Sequence, residues 1–214
     1  MLVGKRMTHN PITITPDVSI AEAMEKMKRE KVHRFPVVDK GRKLVGMVTE
    51  YDLVHASPSS ATALSMWEIS YLLAQITVGE VMTKKVITTA EDTPLEEAAR
   101  LMADNSVGGL PVLRDGLLVG LITESDLFRV FLEIFGAREK GIRLTVLAPY
   151  VKGSMAKITS AITNVGGLIV AFDTFLGEDP SNWGATLKVS DISKDNLLEV
   201  VKPLVVEIVD VREI

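Results

Sequence analysis

Two heptapeptides carry the side chains best suited to chemistry: GMVTEYD at 46–52 and GLITESD at 120–126. Each ends an apolar run and sets Thr three residues before Asp, Thr49 with Asp52 and Thr123 with Asp126. A strand that delivers Thr-x-x-Asp into a helix supports two uses. Thr at the N-cap with an acid at the third helical position satisfies N–H groups left open at the helix start, a stabilisation of about 1 kcal/mol. The same corner suits a nucleotide. Free N–H groups and the positive end of the helix dipole attract phosphate. A carboxylate accepts from both hydroxyls of a ribose, and the Thr hydroxyl donates to a phosphate or ribose oxygen. The two uses are compatible, and spacing alone leaves both open.

Other chemistries find less support. Cysteine is absent, which removes thiolate and disulfide chemistry. His9, His33 and His55 are scattered, and no HxxxH or carboxylate cluster has metal-ligand spacing, so no metal site is expected. No GxGxxG opens a helix after a strand, and nothing beside Asp52 or Asp126 reads as a nucleophile or oxyanion donor. A protein that is not an enzyme and requires no cofactor is expected. A net charge of -4 without a long basic run argues against nucleic acid. No apolar stretch reaches the roughly 18 residues of a membrane span, and MLVGKRMTHNP lacks the apolar region of a signal peptide. A cytoplasmic protein away from the membrane is expected. With 214 residues, 47% of them hydrophobic, the chain can bury the core of one large domain or two small ones.

The paired heptapeptides belong to a longer repeat. With an offset of 75, Met7-Thr8 matches Met82-Thr83, Ile12-Thr13 matches Ile87-Thr88, and Asp17 matches Asp92. Phe35-Pro36-Val37-Val38 then matches Leu110-Pro111-Val112-Leu113, and a one-residue deletion brings the heptapeptides together. Such duplication has to be read before the fold. Each copy predicts strand, helix, strand, strand, helix. Short extended entries are expected at 12–15 and 86–89. Ser19 with Glu22 and Thr93 with Glu96 both fit a capping box, with Pro94 opening the second helix. Met24, Met27 and Val32 share one helical face, as do Ala98, Leu101 and Met102. Asp39-Lys40-Gly41 and Arg114-Asp115-Gly116 are hairpin turns. Between the copies, residues 61–76 read as an added helix, whose apolar residues serve either core and dimer packing or a ligand-contacting lid.

After residue 135 the repeat stops. The rest reads strand 143–148, helix 154–165, strand 167–176, strand 183–190, helix 194–201 and strand 205–212, the βαββαβ ferredoxin-like order. Gly166 and Gly167 suit a helix stop with positive φ. Gly153 would let backbone N–H groups approach a ligand or another chain.

The repeated pattern, with HRFPVVD at 33–39 and GhhTxxD twice, resembles a tandem pair of CBS domains, the Bateman module. The ordering of CBS copy, Trp-Glu-Ile helix, CBS copy and ferredoxin-like unit resembles the acetoin-utilisation AcuB-like family. The C-terminal unit resembles an ACT domain, with Gly153 in place but Tyr150 where that family typically has an acid. The fold class is then α/β (α+β), a CBS-domain pair followed by a ferredoxin-like ACT domain. Expected boundaries are 1–60 for the first CBS domain, 61–76 for the linker helix, 77–138 for the second and 141–214 for the ACT-like domain. The resemblance implies two clefts that bind AMP, ADP, ATP or S-adenosylmethionine as a regulatory ligand. Asp52 and Asp126 would hold ribose hydroxyls, and Thr49 and Thr123 would lie near phosphate or ribose. Ile12, Thr13, Ile87 and Thr88, with Pro36, Val37, Pro111 and Val112, would line the base.

The copies differ where His33-Arg34 in the first faces Gly108-Gly109 in the second. Arg34 is a fixed cation suited to phosphate, and His33 can add a donor. The glycines supply neither, although Gly109 admits a close backbone. Unequal sites are expected, with phosphate held at His33 and Arg34. Ligand binding would change the angle between the CBS units and pass through 125–135 to the ACT unit, and so to a regulated enzyme. A homodimer is expected. The alternatives are an amino-acid-responsive regulator acting through the ACT unit and a structural interaction module that binds no nucleotide.

Overall fold

The computed structural model describes residues 1–57, 71, 73–177 and 180–214. The chain forms two compact units, Met1–Leu127 and Phe128–Ile214. The helix expected at 61–76 lies largely outside the described residues; within it, Tyr71 and residues 73–75 are helical.

In the first unit both copies of the repeat build the same local structure. The elements run β1 (Thr8–His9), α1 (Ile20–Glu30), β2 (Arg34–Val38), β3 (Leu44–Thr49), α2 (Glu50–Ala56), α3 (Val78–Val81), β4 (Thr89–Ala90), α4 (Leu95–Asn105), β5 (Gly109–Arg114), β6 (Leu117–Thr123) and α5 (Glu124–Ile134). Helix α5 continues past the division between the units. Ser19 caps α1 by accepting from the Glu22 N–H at 3.2 Å. Helices α1 and α4 each stop at a left-handed residue, Lys31 at φ 54° and Ser106 at φ 53°, which occupy equivalent repeat positions. Thr93 does not cap α4: its hydroxyl accepts from the Ala90 N–H at 3.2 Å, closing the preceding turn, and Pro94 takes the N-cap position. The second hairpin turns on Asp115 and Gly116, both at positive φ, as a two-residue loop requires.

The extended entries are shorter than expected. At 12–15 the pairing reduces to one parallel bridge, Ile14 to Val37, because Pro11 and Pro16 bracket the segment and lack the N–H that a ladder needs. At 86–89 it survives as β4, parallel to β5.

The segments that precede the entries are exchanged between the copies. Strand β1 pairs antiparallel with β6 of the second copy, Thr8 opposite Leu121 and His9 opposite Gly120. Thr83, the repeat equivalent of Thr8, pairs with Met47 in the first copy. This exchange explains the glycine that opens each heptapeptide. A Cβ on Gly120 would stand 2.2 Å from the Met7 sulfur, and one on Gly46 would stand 2.3 Å from the Met82 sulfur. Each methionine of the paired Met-Thr motifs thus sits on the glycine of the other copy. Val78 joins the first copy's core of Ile14, Ile20, Ala23, Met27, Phe35, Val37, Val48 and Leu53. Met24 and Val32 pack against that core from partly buried positions.

The second unit contains β7 (Ile142–Pro149), α6 (Ser154–Asn164), β8 (Leu168–Leu176), β9 (Asn182–Ser190), α7 (Lys194–Val201) and β10 (Glu207–Glu213). Its sheet has the order β10-β7-β9-β8, antiparallel throughout, which is the ferredoxin-like arrangement. Both helices cover one face: Ile158, Ile162, Leu197 and Val201 bury against Ile142, Leu144, Val146, Ala185, Leu187 and Val189. Gly166, at φ 88°, ends the turn after α6 in the conformation expected of it.

The exchange makes a stability prediction. Met7 is buried at 5% exposure, whereas Met82 is partly exposed. Met7→Ala is expected to cost roughly 2–5 kcal/mol in urea denaturation, and Met82→Ala less. Equal and negligible losses would show that the exchanged segments do not hold the copies together.

Candidate functional site

The two Thr-x-x-Asp corners are built alike. At the first, Asp52 Oδ2 accepts from the Thr49 N–H at 2.8 Å and from the Thr49 hydroxyl at 2.7 Å. Thr49 Oγ1 accepts in return from the Asp52 N–H at 3.3 Å, completing a capping box on α2. At the second, Asp126 Oδ2 accepts from the Thr123 N–H at 2.9 Å and from its hydroxyl at 2.7 Å. Asp126 is buried at 5% exposure, while Asp52 is half-buried. Each cap engages one carboxylate oxygen. Among the described residues, Asp52 Oδ1 has no hydrogen-bond partner.

Beside the first corner lies a cleft of about 450 Å³. It collects five of the residues singled out from the sequence: His33, Arg34, Thr49, Ile87 and Gly109. The first copy provides His33, Arg34 and Thr49, and the second provides Ile87 and Gly109. Strand pairing explains part of this meeting, because Arg34 on β2 stands opposite Thr49 on β3. The glycine pair has a definite use. A Cβ on Gly108 would lie 2.8 Å from Arg34 Nη2, and one on Gly109 would lie 2.9 Å from Arg34 Nη1. The guanidinium therefore rests on bare backbone of the second copy. Among the described residues it has no ion pair or hydrogen bond. His33 Nδ1 and Glu50 Oε2 are 2.7 Å apart at the exposed rim.

The remaining expected residues lie elsewhere. Asp52 and Thr88 are half-buried but do not line this cleft. Val37 and Val112 have no exposed surface, and Pro36 and Pro111 are buried with them. These four do not line this cleft, because their side chains lie within the buried stretches of β2 and β5. Ile12 is exposed, and the Thr13 carbonyl accepts from Lys26 Nζ at 3.0 Å. Thr123 and Asp126 form the second corner, apart from the lining residues of this cleft.

Lys85 is the main residue that the sequence reading missed. It is exposed and lines the cleft with Met47, Tyr51, Thr83, Val86, Ser106 and Val107. A signal existed: the second copy has Lys84-Lys85 where the first has His9-Asn10. Lys85 adds a flexible cation to the fixed one of Arg34. Two cations without carboxylate partners and the apolar Ile87 and Val86 suit a ligand with a phosphate or other anionic end and a flat apolar body. Among the described residues, no cluster of three His, Cys, Asp or Glu could hold a metal ion.

Comparison with known proteins agrees with the duplicated architecture. The family model for the CBS domain matches residues 3–59 and again 78–133. A CBS domain-containing protein of Dictyostelium discoideum is 33% identical over 135 residues, spanning 63% of this chain and 93% of that protein. An inosine-5'-monophosphate dehydrogenase of Nitrosopumilus maritimus is 30% identical over 172 residues, but the match spans only 33% of its length. Among solved structures, CBSX2 of Arabidopsis thaliana in complex with AMP is 35% identical, with a TM-score of 0.53, over 62% of this chain and 97% of that one. The CBS domain pair of protein MJ0100, in complex with 5'-methylthioadenosine and S-adenosylmethionine, is 32% identical at a TM-score of 0.52, over 65% and 98% of the two chains. A Vibrio cholerae protein named for acetoin utilization (AcuB) is 30% identical at a TM-score of 0.52, over 62% of this chain and 90% of that one. The two matched copies cover more than half of the sequence, and the chain belongs to the CBS-domain family.

Proposed function

We propose that this protein is a non-catalytic regulator that binds an adenosine ligand, AMP, ADP, ATP or S-adenosylmethionine, in the cleft beside the Thr49–Asp52 corner. The observation that carries the reading is the convergence of Arg34 and Lys85, cations from opposite copies, on one cleft of about 450 Å³. Solved relatives hold AMP or S-adenosylmethionine on CBS pairs, which supports the ligand class. In this reading the phosphate sits on Arg34 and Lys85, the base lies against Ile87 and Val86, and the sugar reaches beyond the cleft lining past Thr49, so that a ribose hydroxyl donates to Asp52 Oδ1 while Oδ2 keeps the cap. The second corner, with Thr123 and Asp126, is the weaker site, since glycines stand there in place of His33 and Arg34.

The regulated enzyme, a link to acetoin utilisation, a cytoplasmic location and a homodimer belong to the same proposal. The AcuB likeness supports the acetoin link but reaches only 62% of this chain. Phe128, Phe131 and Ile134 are exposed at three-residue spacing on α5, which supports self-association.

A second reading rests on the C-terminal unit, an ACT-like domain responding to an amino acid. Gly153, at φ 87°, opens α6 beside a cleft of about 1300 Å³ that includes Ser154, Phe175 and Trp183. Tyr150 also lines it, where the ACT family's usual acid would stand. A thermal-shift screen that finds a response to amino acids and none to nucleotides would favour this reading.

Isothermal titration tests the first reading. Arg34→Ala is expected to weaken AMP binding about tenfold or more, since a hydrogen bond to a charged group contributes about 1.5–3 kcal/mol. Asp52→Ala is expected to weaken it as well, and to lower stability by about 1 kcal/mol through loss of the cap. Unchanged AMP affinity in Arg34→Ala, or no binding of any adenosine ligand by the unaltered protein, would overturn the proposal.

A further inference from the structure

The face of the second unit's sheet that α6 and α7 leave uncovered carries an unusual row of side chains. Strand register sets Arg212 opposite Arg143, and Arg143 opposite Lys188, so three cations stand side by side across β10, β7 and β9. Like charges directly opposite one another destabilise a sheet. The next row along holds Asp210, Thr145, Thr186 and Asp173. Asp210 pairs with both arginines, 3.0 Å from Arg143 Nη1 and 2.7 Å from Arg212 Nη2, and leaves one of their two positive charges uncompensated. Asp173 spends Oδ1 on the Thr186 N–H at 3.1 Å.

That leaves Lys188. Its residue is 5% exposed, and Nζ donates to the Gly136 carbonyl at 2.8 Å, just past the C-terminal end of α5. The negative end of a helix dipole suits an ammonium, but one carbonyl occupies one of its three donors. Among the described residues, no carboxylate lies within 4.0 Å of Lys188. A buried ammonium without an anion is costly, and a hydrophobic residue of similar volume would usually serve stability better.

A cavity of about 240 Å³ opens at this point. Its polar side chains are Arg143, Asp173, Thr186 and Lys188, and its apolar lining is Ile134, Phe135, Ala137 and Ile214 with Ala171 and Phe172. The volume falls below the roughly 300–1,000 Å³ of pockets for drug-sized ligands, so the occupant has few heavy atoms. Of the charged side chains lining it, two are cations and one is an anion, which favours a single negative charge over two.

We propose that this cavity binds a short aliphatic carboxylate. The carboxylate accepts from Lys188 Nζ and from the Arg143 guanidinium, whose Nη1 alone is engaged by Asp210. The hydrocarbon lies against Ile134, Phe135 and Ile214. Lys188 is thus a binding residue whose burial is offset when the anion is present. The site is separate from the adenosine cleft and does not depend on it.

Isobutyrate is the probe, with inorganic phosphate as the competing anion, on the full chain. Isobutyrate is expected to bind saturably by calorimetry and to raise the thermal midpoint. Lys188→Met is expected to bind at least tenfold more weakly, with a ligand-free midpoint equal to or above that of the unaltered protein. Absence of saturable isobutyrate binding, undiminished binding by Lys188→Met, or tighter binding of phosphate than of isobutyrate would each overturn the assignment. Should Lys188→Met fail to fold, nuclear Overhauser contacts in the unaltered protein decide the matter. Contacts from the isobutyrate methyls to Ile134 and Ile214 are expected, and their absence would refute the site.

Discussion

The bond between a threonine and the aspartate three residues later is the constraint on which the first unit's candidate site rests. Asp52 Oδ2 closes the corner between β3 and α2 by taking both Thr49 donors, and the Asp126 corner repeats the arrangement. The cap fixes where the strand ends and where the helix dipole begins. Arg34 stands opposite Thr49 in the neighbouring strand. Because the cap engages one oxygen of Asp52, stabilising the helix and gripping a ligand hydroxyl do not compete for the same atom. Under the proposed function, the structural and the binding uses of the motif, both legible in its spacing, coexist at this corner.

A second constraint works at a larger scale. The Met-Thr segments cross between the copies, so neither repeat completes its sheet with the segment that leads into it. Met7 on Gly120 and Met82 on Gly46 lock the copies reciprocally. The Arg34 guanidinium, lying over Gly108 and Gly109, is a further contact between the copies.

Much of this could be read from residue order. The duplication was visible because Met-Thr, Ile-Thr, the apolar strand and the heptapeptide recur in register. The ferredoxin-like order was visible because Gly153 and the Gly166-Gly167 pair punctuate the apolar runs. The exchange of segments was not, since an offset aligns equivalent residues without saying which copy receives them. Val37 and Val112 were assigned to the base on motif position, and their side chains are fully buried, which an apolar run alone does not distinguish from a strand that faces a cleft. Lys85 escaped notice because it lies outside the motif and reaches the cleft only through the exchange. In the second unit, Lys188 reads as an ordinary polar alternation on a strand. Its burial depends on register with Arg143, 45 positions earlier, and on the end of α5, and neither is local information.

The most direct measurement is a crystal structure of the protein with AMP. The expected density places phosphate between Arg34 and Lys85 and a ribose hydroxyl on Asp52 Oδ1, with the Thr49 bonds to Oδ2 kept. Density for the nucleotide away from this cleft, or an Asp52 carboxylate that must leave its cap to meet the sugar, would contradict the shared use of that corner.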